Sequence, residues 1–159
     1  MERQEELPSV DVVLSETKVA LDRQFENISS LDMKLGVLLG LSAVILAALL
    51  AFPFVRSCDV ITRWLLIAAV AFILVSLLSA TWGYRISKYK GPPAPRALRE
   101  FYLMEKPERT KLVVINYLCS AYDWNQEIIA NIVTCFQVSF GCVFLGTLII
   151  VVITLVNLL

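Results

Sequence analysis

Charged residues are missing from three long, strongly hydrophobic stretches of this chain. The stretches cover residues 35–55, 64–84 and 128–159. Each is long enough to cross a bilayer, because about 20 residues of helix, rising about 1.5 Å each, span the hydrocarbon core. The pattern predicts an all-α membrane protein with three transmembrane helices, of which the first two form a hairpin over residues 35–84.

The third stretch continues a segment that is charged at its start. Pro107 and Glu108 are typical of a first helical turn, where proline needs no N–H partner and an acidic side chain favours the helix dipole. No proline occurs between Pro107 and the last residue. We therefore expect one long helix over residues 107–159 that begins in the cytosol and ends as the third transmembrane span.

A row of residues along this long helix, spaced alternately by three and four from Leu112, defines a candidate interaction face. Its members beyond Phe140 include polar residues, and polar side chains at membrane depth tend to face protein or water. The face fits either assembly or a pore, for which the expected gate and lining residues are Phe136, Phe140, Thr147, Thr154 and Asn157. In the alternative interpretation, each threonine bonds its own helix backbone.

Residues 1–34 carry a heptad pattern of apolar positions. The pattern consists of Leu7, Leu14, Leu21, Ile28 and Leu35, with Val10, Thr17, Gln24 and Leu31 as companions. It predicts a cytosolic amphipathic or coiled-coil helix that begins near Val10, with Ser9 as its cap, and continues into the first span. Such a helix either forms a bundle that sets the oligomeric state or covers its own subunit, and the pattern fits both.

Small residues mark one face on each helix of the hairpin. The first face consists of Gly36, Gly40, Ala43, Ala47 and Ala51, and the second of Ala69, Ser76 and Gly83. Small side chains let helix backbones approach closely in lipid, where no hydrophobic force drives association. We expect a tight hairpin, and we expect the Gly36 face to pack helices when copies of the chain assemble.

The connector at residues 85–106 is basic, and its Gly91-Pro92-Pro93-Ala94-Pro95 sequence excludes a regular helix there. Because Lys and Arg favour the cytoplasmic side, we expect the connector and the N-terminus in the cytosol and the C-terminus outside. Two roles fit the charge. Lipid head groups would bind Arg85, Lys88 and Lys90. A nucleotide or oligonucleotide would bind the cations and aromatic ring of Arg96, Arg99, Arg109, Lys111 and Tyr102.

Composition narrows the chemistry. Hydrophobic residues make up 58% of the chain, against about 45–50% in soluble domains. The chain has no histidine, and its four cysteines form no CxxC pair, so neither a metal site nor a nucleophile–base pair is indicated. Asp123 and Glu127 stand one helical turn apart, but such pairs are common on helix surfaces. We expect neither enzymatic activity nor a cofactor.

The order of these segments resembles the small transmembrane effectors of bacterial anti-phage defence, such as the SLATT-type proteins and the membrane partner of Hailong-type nucleotidyltransferases. The resemblance rests on the hairpin ending in Trp82-Gly83-Tyr84-Arg85, on the basic connector, and on the segment from Thr110-Lys111 through Ala121-Tyr122-Asp123-Trp124-Asn125 to Asn131. It implies an oligomeric protein of the bacterial inner membrane that disrupts the membrane under control of a nucleotide-derived signal and of the enzyme that makes it.

Two functional hypotheses follow. The first is a homo-oligomeric pore-forming effector, with a tetramer as the working assembly, gated from the cytosol by the nucleotide-derived signal. The second is a non-conducting membrane scaffold or accessory subunit of a larger complex. A pore requires a closed ring with the polar stripe on its axis, whereas a scaffold presents that stripe to another kind of subunit. Membrane lipids are partners in both.

Overall fold

The computed structural model describes residues 9–51, 59–85, 89–94, 96, 99–100 and 105–158, most of which lie in three long α-helices. Helix α1 covers Val10–Ala51, α2 covers Val60–Arg85 and α3 covers Pro107–Leu158. All three are long and apolar enough to cross a membrane, and the described residues contain no strand. The predicted all-α membrane fold with three spans is confirmed.

Each helix follows a residue whose carbonyl accepts the first helical hydrogen bond. The acceptors are Ser9, Asp59 and Lys106, and the N–H donors are those of Val13, Arg63 and Thr110 at 2.9, 3.1 and 3.1 Å. Asp59 also accepts the Val60 N–H on its carboxylate at 2.8 Å, which stabilises the positive end of α2. The predicted helix starts near Val10 and at Pro107 are confirmed.

The chain divides into two compact units, and the first, the charged unit, comprises Met1–Ser29 and Lys88–Ile129. Its core contains the buried residues Leu21, Leu118 and Ala121, against which Leu14, Phe25, Val114 and Tyr122 pack. Leu21 belongs to the predicted heptad of α1, so the heptad packs here on α3 of the same chain. This is the arrangement expected of a helix that covers its own subunit.

Gln24, a polar companion of that heptad, forms hydrogen bonds to α3 within the charged unit. Gln24 is only 4% exposed. Its Nε2 donates to the Tyr122 carbonyl at 3.1 Å and to Gln126 Oε1 at 3.2 Å. A buried amide group is costly unless it is hydrogen-bonded, so Gln24 fixes the register of α1 against α3 in this unit.

The second unit, the hydrophobic unit, comprises Ser30–Ser87 and Ala130–Leu159. Each of its three helices contributes buried residues that recur every seven positions. They are Leu35 and Ser42 on α1, Ala69, Ser76 and Gly83 on α2, and Ile132, Ser139 and Gly146 on α3. A repeat of seven keeps one side of a helix on a common core over several turns.

Two glycines of this core lie where the helices approach closely. A Cβ built on Gly83 would lie 3.0 Å from Cys135 Cβ and 3.1 Å from Leu35 Cδ1. One built on Gly146 would lie 2.9 Å from Ile73 Cδ1. These three distances leave no room for a side chain at either glycine without movement of a neighbour. The predicted small-residue face of α2 is therefore buried in the core.

The small-residue face of α1 is different. Gly36 and Gly40 are exposed, and no neighbouring helix places an atom within 4 Å of a Cβ built on either residue. The remaining members of this Gly36 face, Ala43, Ala47 and Ala51, are exposed as well. Among the described residues, no helix therefore packs closely on this face at Gly36 or Gly40, and its use between copies stays a prediction.

Candidate functional site

Three serines, one from each helix, meet in the core of the hydrophobic unit. Ser42, Ser76 and Ser139 each have a relative exposure of 0%. The hydroxyl oxygens of Ser42 and Ser76 are 3.1 Å apart, and those of Ser76 and Ser139 are 2.8 Å apart. Polar groups inside an apolar unit are costly unless they are paired. This serine layer therefore ties α1, α2 and α3 together.

One arrangement of the hydrogens satisfies every hydroxyl of the serine layer. Ser42 donates to the Leu38 carbonyl of its own helix at 2.8 Å, which leaves its oxygen free to accept from Ser76. Ser139 donates to Ser76, whose hydroxyl and carbonyl oxygens lie 2.8 and 3.2 Å away. Each serine uses its single hydrogen, and no donor is left over.

The predicted gate lies beside the buried side of α3. Phe136 is half-buried and Phe140 is 56% exposed. Their rings stack, with centroids 6.2 Å apart and planes inclined by 18°. The most deeply buried line on α3 instead runs through Leu118, Asn125, Ile132, Ser139 and Gly146. Phe140 is thus displaced around the helix from this buried line, whereas Val143 of the same predicted face is buried.

The threonines of the predicted lining bond their own helix. Thr147 donates to the Val143 carbonyl, and Thr154 donates to the Ile150 carbonyl at 2.9 Å. This is the alternative that the sequence left open. Thr147 is half-buried and Thr154 is exposed, whereas the side chain of Asn157 lies outside the described part of the chain.

An apolar groove of about 330 Å³ lies next to the predicted gate in the hydrophobic unit. It is lined by Leu38 and Leu41 of α1 and by Phe140, Val143, Phe144, Thr147, Leu148 and Val151 of α3. Phe140 and Thr147 therefore border an open apolar surface. At membrane depth, such a surface contacts lipid tails or another helix.

The charged unit contains a cavity with two lysines and a carboxylate in its wall. Its volume is about 430 Å³, within the range of about 300–1,000 Å³ that is typical of small-molecule sites. This lysine cavity is lined by Leu14, Lys18, Leu21, Asp22, Pro92, Pro93, Thr110, Lys111, Val114 and Leu118. Ammonium groups, a hydroxyl and an apolar floor can together hold an anion that carries a ring.

Lys111 is the member of the predicted ligand set that lines this cavity. Its Nζ lies 2.6 Å from Asp11 Oδ1, and the Asp11 side chain is 73% exposed. Lys18 is absent from the predicted set, because the heptad pattern left open whether the N-terminal helix packs on its own chain or on other copies. The heptad that packs α1 on α3 is the signal from which their proximity follows.

The other predicted ligand cations are not part of the lysine cavity. Arg96 pairs with Glu100 at 2.8 Å and Arg109 with Glu105 at 3.3 Å, and all four side chains are well exposed. Exposed pairs of this kind are weak and are easily exchanged. Arg99 is exposed, and Tyr102 lies outside the described residues.

The connector is fastened to α3 by Asn125, which has a relative exposure of 0%. The Lys90 N–H donates to Asn125 Oδ1 at 2.9 Å, and Asn125 Nδ2 donates to the Lys90 carbonyl at 3.0 Å. One side chain thus pairs with both backbone polar groups of one residue. We call this pair of bonds the Asn125 clasp.

Of the three cations predicted to bind lipid head groups, Lys90 has a defined partner in the charged unit. Its Nζ lies 4.2 Å from the centre of the Trp124 ring, which is within the range of a cation–π contact. Arg85 is exposed at the end of α2. Lys88 falls outside the residues that the structure describes.

A second cavity in the charged unit, of about 390 Å³, has the opposite charge. This acidic cavity is lined by Glu16, Thr17, Ala20, Cys119, Tyr122 and Asp123. Within the described ranges, no group of three or more His, Cys, Asp or Glu residues is arranged to hold a metal ion. The acidic cavity supplies an internal comparison for the lysine cavity, since the two are similar in size.

Residues 16–105 match the family model of the Pycsar effector protein domain, PycTM. The match covers more than half of the chain. The chain belongs to this family. No curated protein and no solved structure gives a significant match.

Pycsar effectors are membrane effectors of anti-phage defence that respond to cyclic nucleotide signals made by a cyclase. The prediction of a small anti-phage transmembrane effector is therefore confirmed, and the chain is a multi-pass membrane protein. The matched residues include Lys18, Asp22, Pro92 and Pro93 of the lysine cavity, but end before α3 begins at Pro107. Part of the lysine cavity thus lies within the residues that the family model describes.

Proposed function

We propose that this Pycsar effector forms a homo-oligomeric pore that a cyclic nucleotide opens by binding in the lysine cavity. The observation that supports the proposal is the cavity itself, which is lined by both Lys18 and Lys111 and has the volume of a small-molecule site. The protein lies in the bacterial inner membrane, with its N-terminus and connector in the cytosol and its C-terminus outside. The charged unit therefore lies in the cytosol, where a nucleotide released by the cyclase can reach it without crossing the membrane.

Each part of a cyclic nucleotide has a matching group in the lysine cavity. The cyclic phosphate carries a negative charge, which the Lys18 and Lys111 ammonium groups neutralise by charge-assisted hydrogen bonds. The Asp22 carboxylate accepts a hydrogen bond from a ribose hydroxyl or a base amino group. Pro92 and Pro93 present apolar faces to the base. No metal ion or cofactor is needed for this binding.

The ion pair between Lys111 and Asp11 gives the bound signal a route to α1. Because the Asp11 side chain is 73% exposed, the pair contributes little to stability. A phosphate that bonds Lys111 can replace Asp11 at low cost. Binding then removes the ionic contact between the first turn of α1 and α3, and this change in the charged unit is the trigger that we propose.

The hydrophobic unit offers open surfaces for assembly and for a pore. We propose that copies pack through the Gly36 face, which is exposed and has no described side chain within 4 Å of a Cβ built on Gly36 or Gly40. Phe136 and Phe140 form the gate, since a narrow apolar ring can stop conduction by dewetting. Thr147, Thr154 and Asn157 line the wider part of the pore beyond it. A tetramer is the working assembly.

Binding of cyclic nucleotides to the detergent-purified protein tests the site. Calorimetric titration with 3′,5′-cyclic AMP, GMP, CMP and UMP is carried out at two salt concentrations. We expect Lys18→Ala and Lys111→Ala each to weaken binding by about tenfold, the loss of one charge-assisted bond. They should also reduce the salt dependence, since each removes an attraction that salt screens. The controls Glu16→Gln and Asp123→Asn, in the acidic cavity, should bind like the parent.

The alternative binding site for the signal is the connector, with its cations Arg96 and Arg99. Loss of binding in the Arg96→Glu, Arg99→Glu double variant, with no change in Lys18→Ala, would move the site from the lysine cavity to the connector. If the parent binds none of the four nucleotides, the lysine cavity is not the signal site. The basic residues Arg85, Lys88 and Lys90 would then be assigned to lipid head groups, and the scaffold hypothesis would be favoured.

A further inference from the structure

We infer that Asn125 is a positioning residue for the signal, because it holds the Pro92–Pro93 wall of the lysine cavity through Lys90. Asn125 is not among the residues that line the cavity, so it acts on a ligand only through the connector. The inference rests on the lysine cavity being the signal site. It goes beyond that proposal by naming what fixes the shape of the site.

The clasp is a specific anchor. The side chain of Asn125 has a relative exposure of 0%, and both ends of its amide group bond the backbone of Lys90, at 2.9 and 3.0 Å. A buried amide that lost these partners would be left unsatisfied, so the clasp stays closed while the charged unit is folded. It therefore gives the connector one fixed point on α3.

The chain between the clasp and the cavity wall is short and stiff. Gly91 alone separates Lys90 from Pro92. The proline rings hold φ near about −65° at Pro92 and Pro93, so Gly91 is the main source of conformational freedom. With Lys90 fixed, that freedom is confined to a single residue. Without the clasp, the Lys90 backbone loses both hydrogen bonds to α3, and the contact of its ammonium group with Trp124 does not fix the backbone that leads to the prolines.

If the proline wall is in place only part of the time, the apparent affinity for the nucleotide falls in proportion to that fraction of time. If loss of the clasp leaves the wall in place for a tenth of the time, the dissociation constant rises about tenfold. Substituting Asn125 by alanine removes no charge, so the salt dependence of binding should equal that of the parent. This property separates a positioning residue from Lys18 and Lys111, whose removal also changes the salt dependence.

Two variants open the clasp from opposite sides in the full-length protein. Asn125→Ala removes the side chain from α3, whereas Lys90→Pro removes the backbone N–H of the connector and leaves α3 unchanged. Because Lys90→Pro also removes the ammonium group that lies over Trp124, Lys90→Ala, which keeps the backbone N–H, is its own control. Asn116→Ala, an exposed asparagine of α3 in the same unit, is the matched control. Each variant is titrated with the four cyclic nucleotides at two salt concentrations, and amide hydrogen exchange is followed over residues 89–91.

We expect Asn125→Ala to raise the dissociation constant about tenfold at unchanged salt dependence. Lys90→Pro should bind about tenfold more weakly than Lys90→Ala, with the same salt dependence as Lys90→Ala. The amides of Tyr89 and Gly91 should exchange faster in each clasp variant than in its control. If Asn125→Ala does not fold, Lys90→Pro decides alone. Parent-like affinity in a folded clasp variant would overturn this inference and leave the proposed site standing. If the parent binds none of the four nucleotides, the proposed site fails, and the inference fails with it.

Discussion

At the scale of single residues, the serine layer explains how helices that are apolar on most sides keep one register. Lipid tails are as apolar as leucine, so hydrophobicity does not favour one register of two membrane helices over another. Hydrogen bonds are directional, and Ser76 contacts both Ser42 and Ser139. A shift of α2 by one residue breaks both contacts. The layer therefore selects one alignment of the three helices.

Replacing Ser76 by alanine tests this account, because it leaves no hydrogen-bond donor of the serine layer without an acceptor. In Ser76→Ala, Ser42 still donates to the Leu38 carbonyl, and Ser139 still reaches the carbonyl of residue 76. We expect the free energy of unfolding to fall by about 1 kcal/mol. The substitution removes two interhelical hydrogen bonds, each of which averages about 0.6 kcal/mol in a membrane protein. Circular dichroism during denaturation in mixed micelles measures the change.

The matched control for Ser76→Ala is Thr81→Ala in the same helix. Thr81 is exposed, and its hydroxyl donates to the Leu77 carbonyl of α2 itself. This substitution should leave the stability within about 0.5 kcal/mol of the parent, as is usual on a surface. Equal destabilisation by both substitutions would show that the serine layer does not hold the helices together.

At the scale of helices, the sequence predicts two packed sides correctly, one from a heptad among polar neighbours and one from small residues, whereas the equally marked Gly36 face is exposed. The heptad of α1 through Leu21 and Leu35 and the α2 face through Ser76 are buried. On α3 the predicted row coincides with the packed side only in part, since Val143 is buried but Phe140 is exposed. A helix that is apolar nearly all round satisfies the three–four spacing on every side. The buried line of α3 is marked instead by Asn125, Ser139 and Gly146. These are the small and polar members of a seven-residue repeat whose apolar member between Asn125 and Ser139 is Ile132.

Substitutions at different glycines test packing within one chain and packing between chains separately. Gly36→Leu with Gly40→Leu meets no neighbouring helix of its own chain, so the fold should remain while association weakens. Gly83→Leu should instead destabilise the single chain, because a Cβ there is already 3.0 Å from Cys135 Cβ. Light scattering in detergent gives the oligomer size, and thermal denaturation gives the stability. An unchanged oligomer size in the Gly36, Gly40 variant would rule out the Gly36 face as the contact.

The proposed gate is tested by two substitutions of Phe140 that differ in polarity. A hydroxyl in an apolar constriction lets water enter, so Phe140→Ser should leak without a nucleotide. Phe140→Leu keeps the ring apolar and should stay closed. Patch recording from reconstituted membranes measures both. If Phe140→Ser assembles normally and stays silent, Phe140 is ordinary packing, and the Gly36 face becomes the next candidate for the pore axis.

At the scale of the whole molecule, the sequence predicts the three membrane helices and two of their starting points, because charge-free stretches and a first-turn proline are local signals. It does not predict the lysine cavity, whose wall combines Lys18, the connector prolines and Lys111 from distant parts of the chain. Likewise, Asn125 has no local signal for its bond to Lys90. Each of these sites depends on which residues of different segments meet, and that information exists only in the packed structure.

Nucleotide-triggered ion flux through reconstituted protein tests the central claim most directly. Liposomes that contain the protein and a potassium-sensitive dye are supplied with the cyclic nucleotide that binds, on the side of the connector. We predict no flux without the nucleotide, flux after its addition, and none in the Lys18→Ala, Lys111→Ala double variant at the same concentration. Nucleotide binding without flux by the assembled parent, or equal flux with and without the nucleotide, would contradict a pore that the lysine cavity controls.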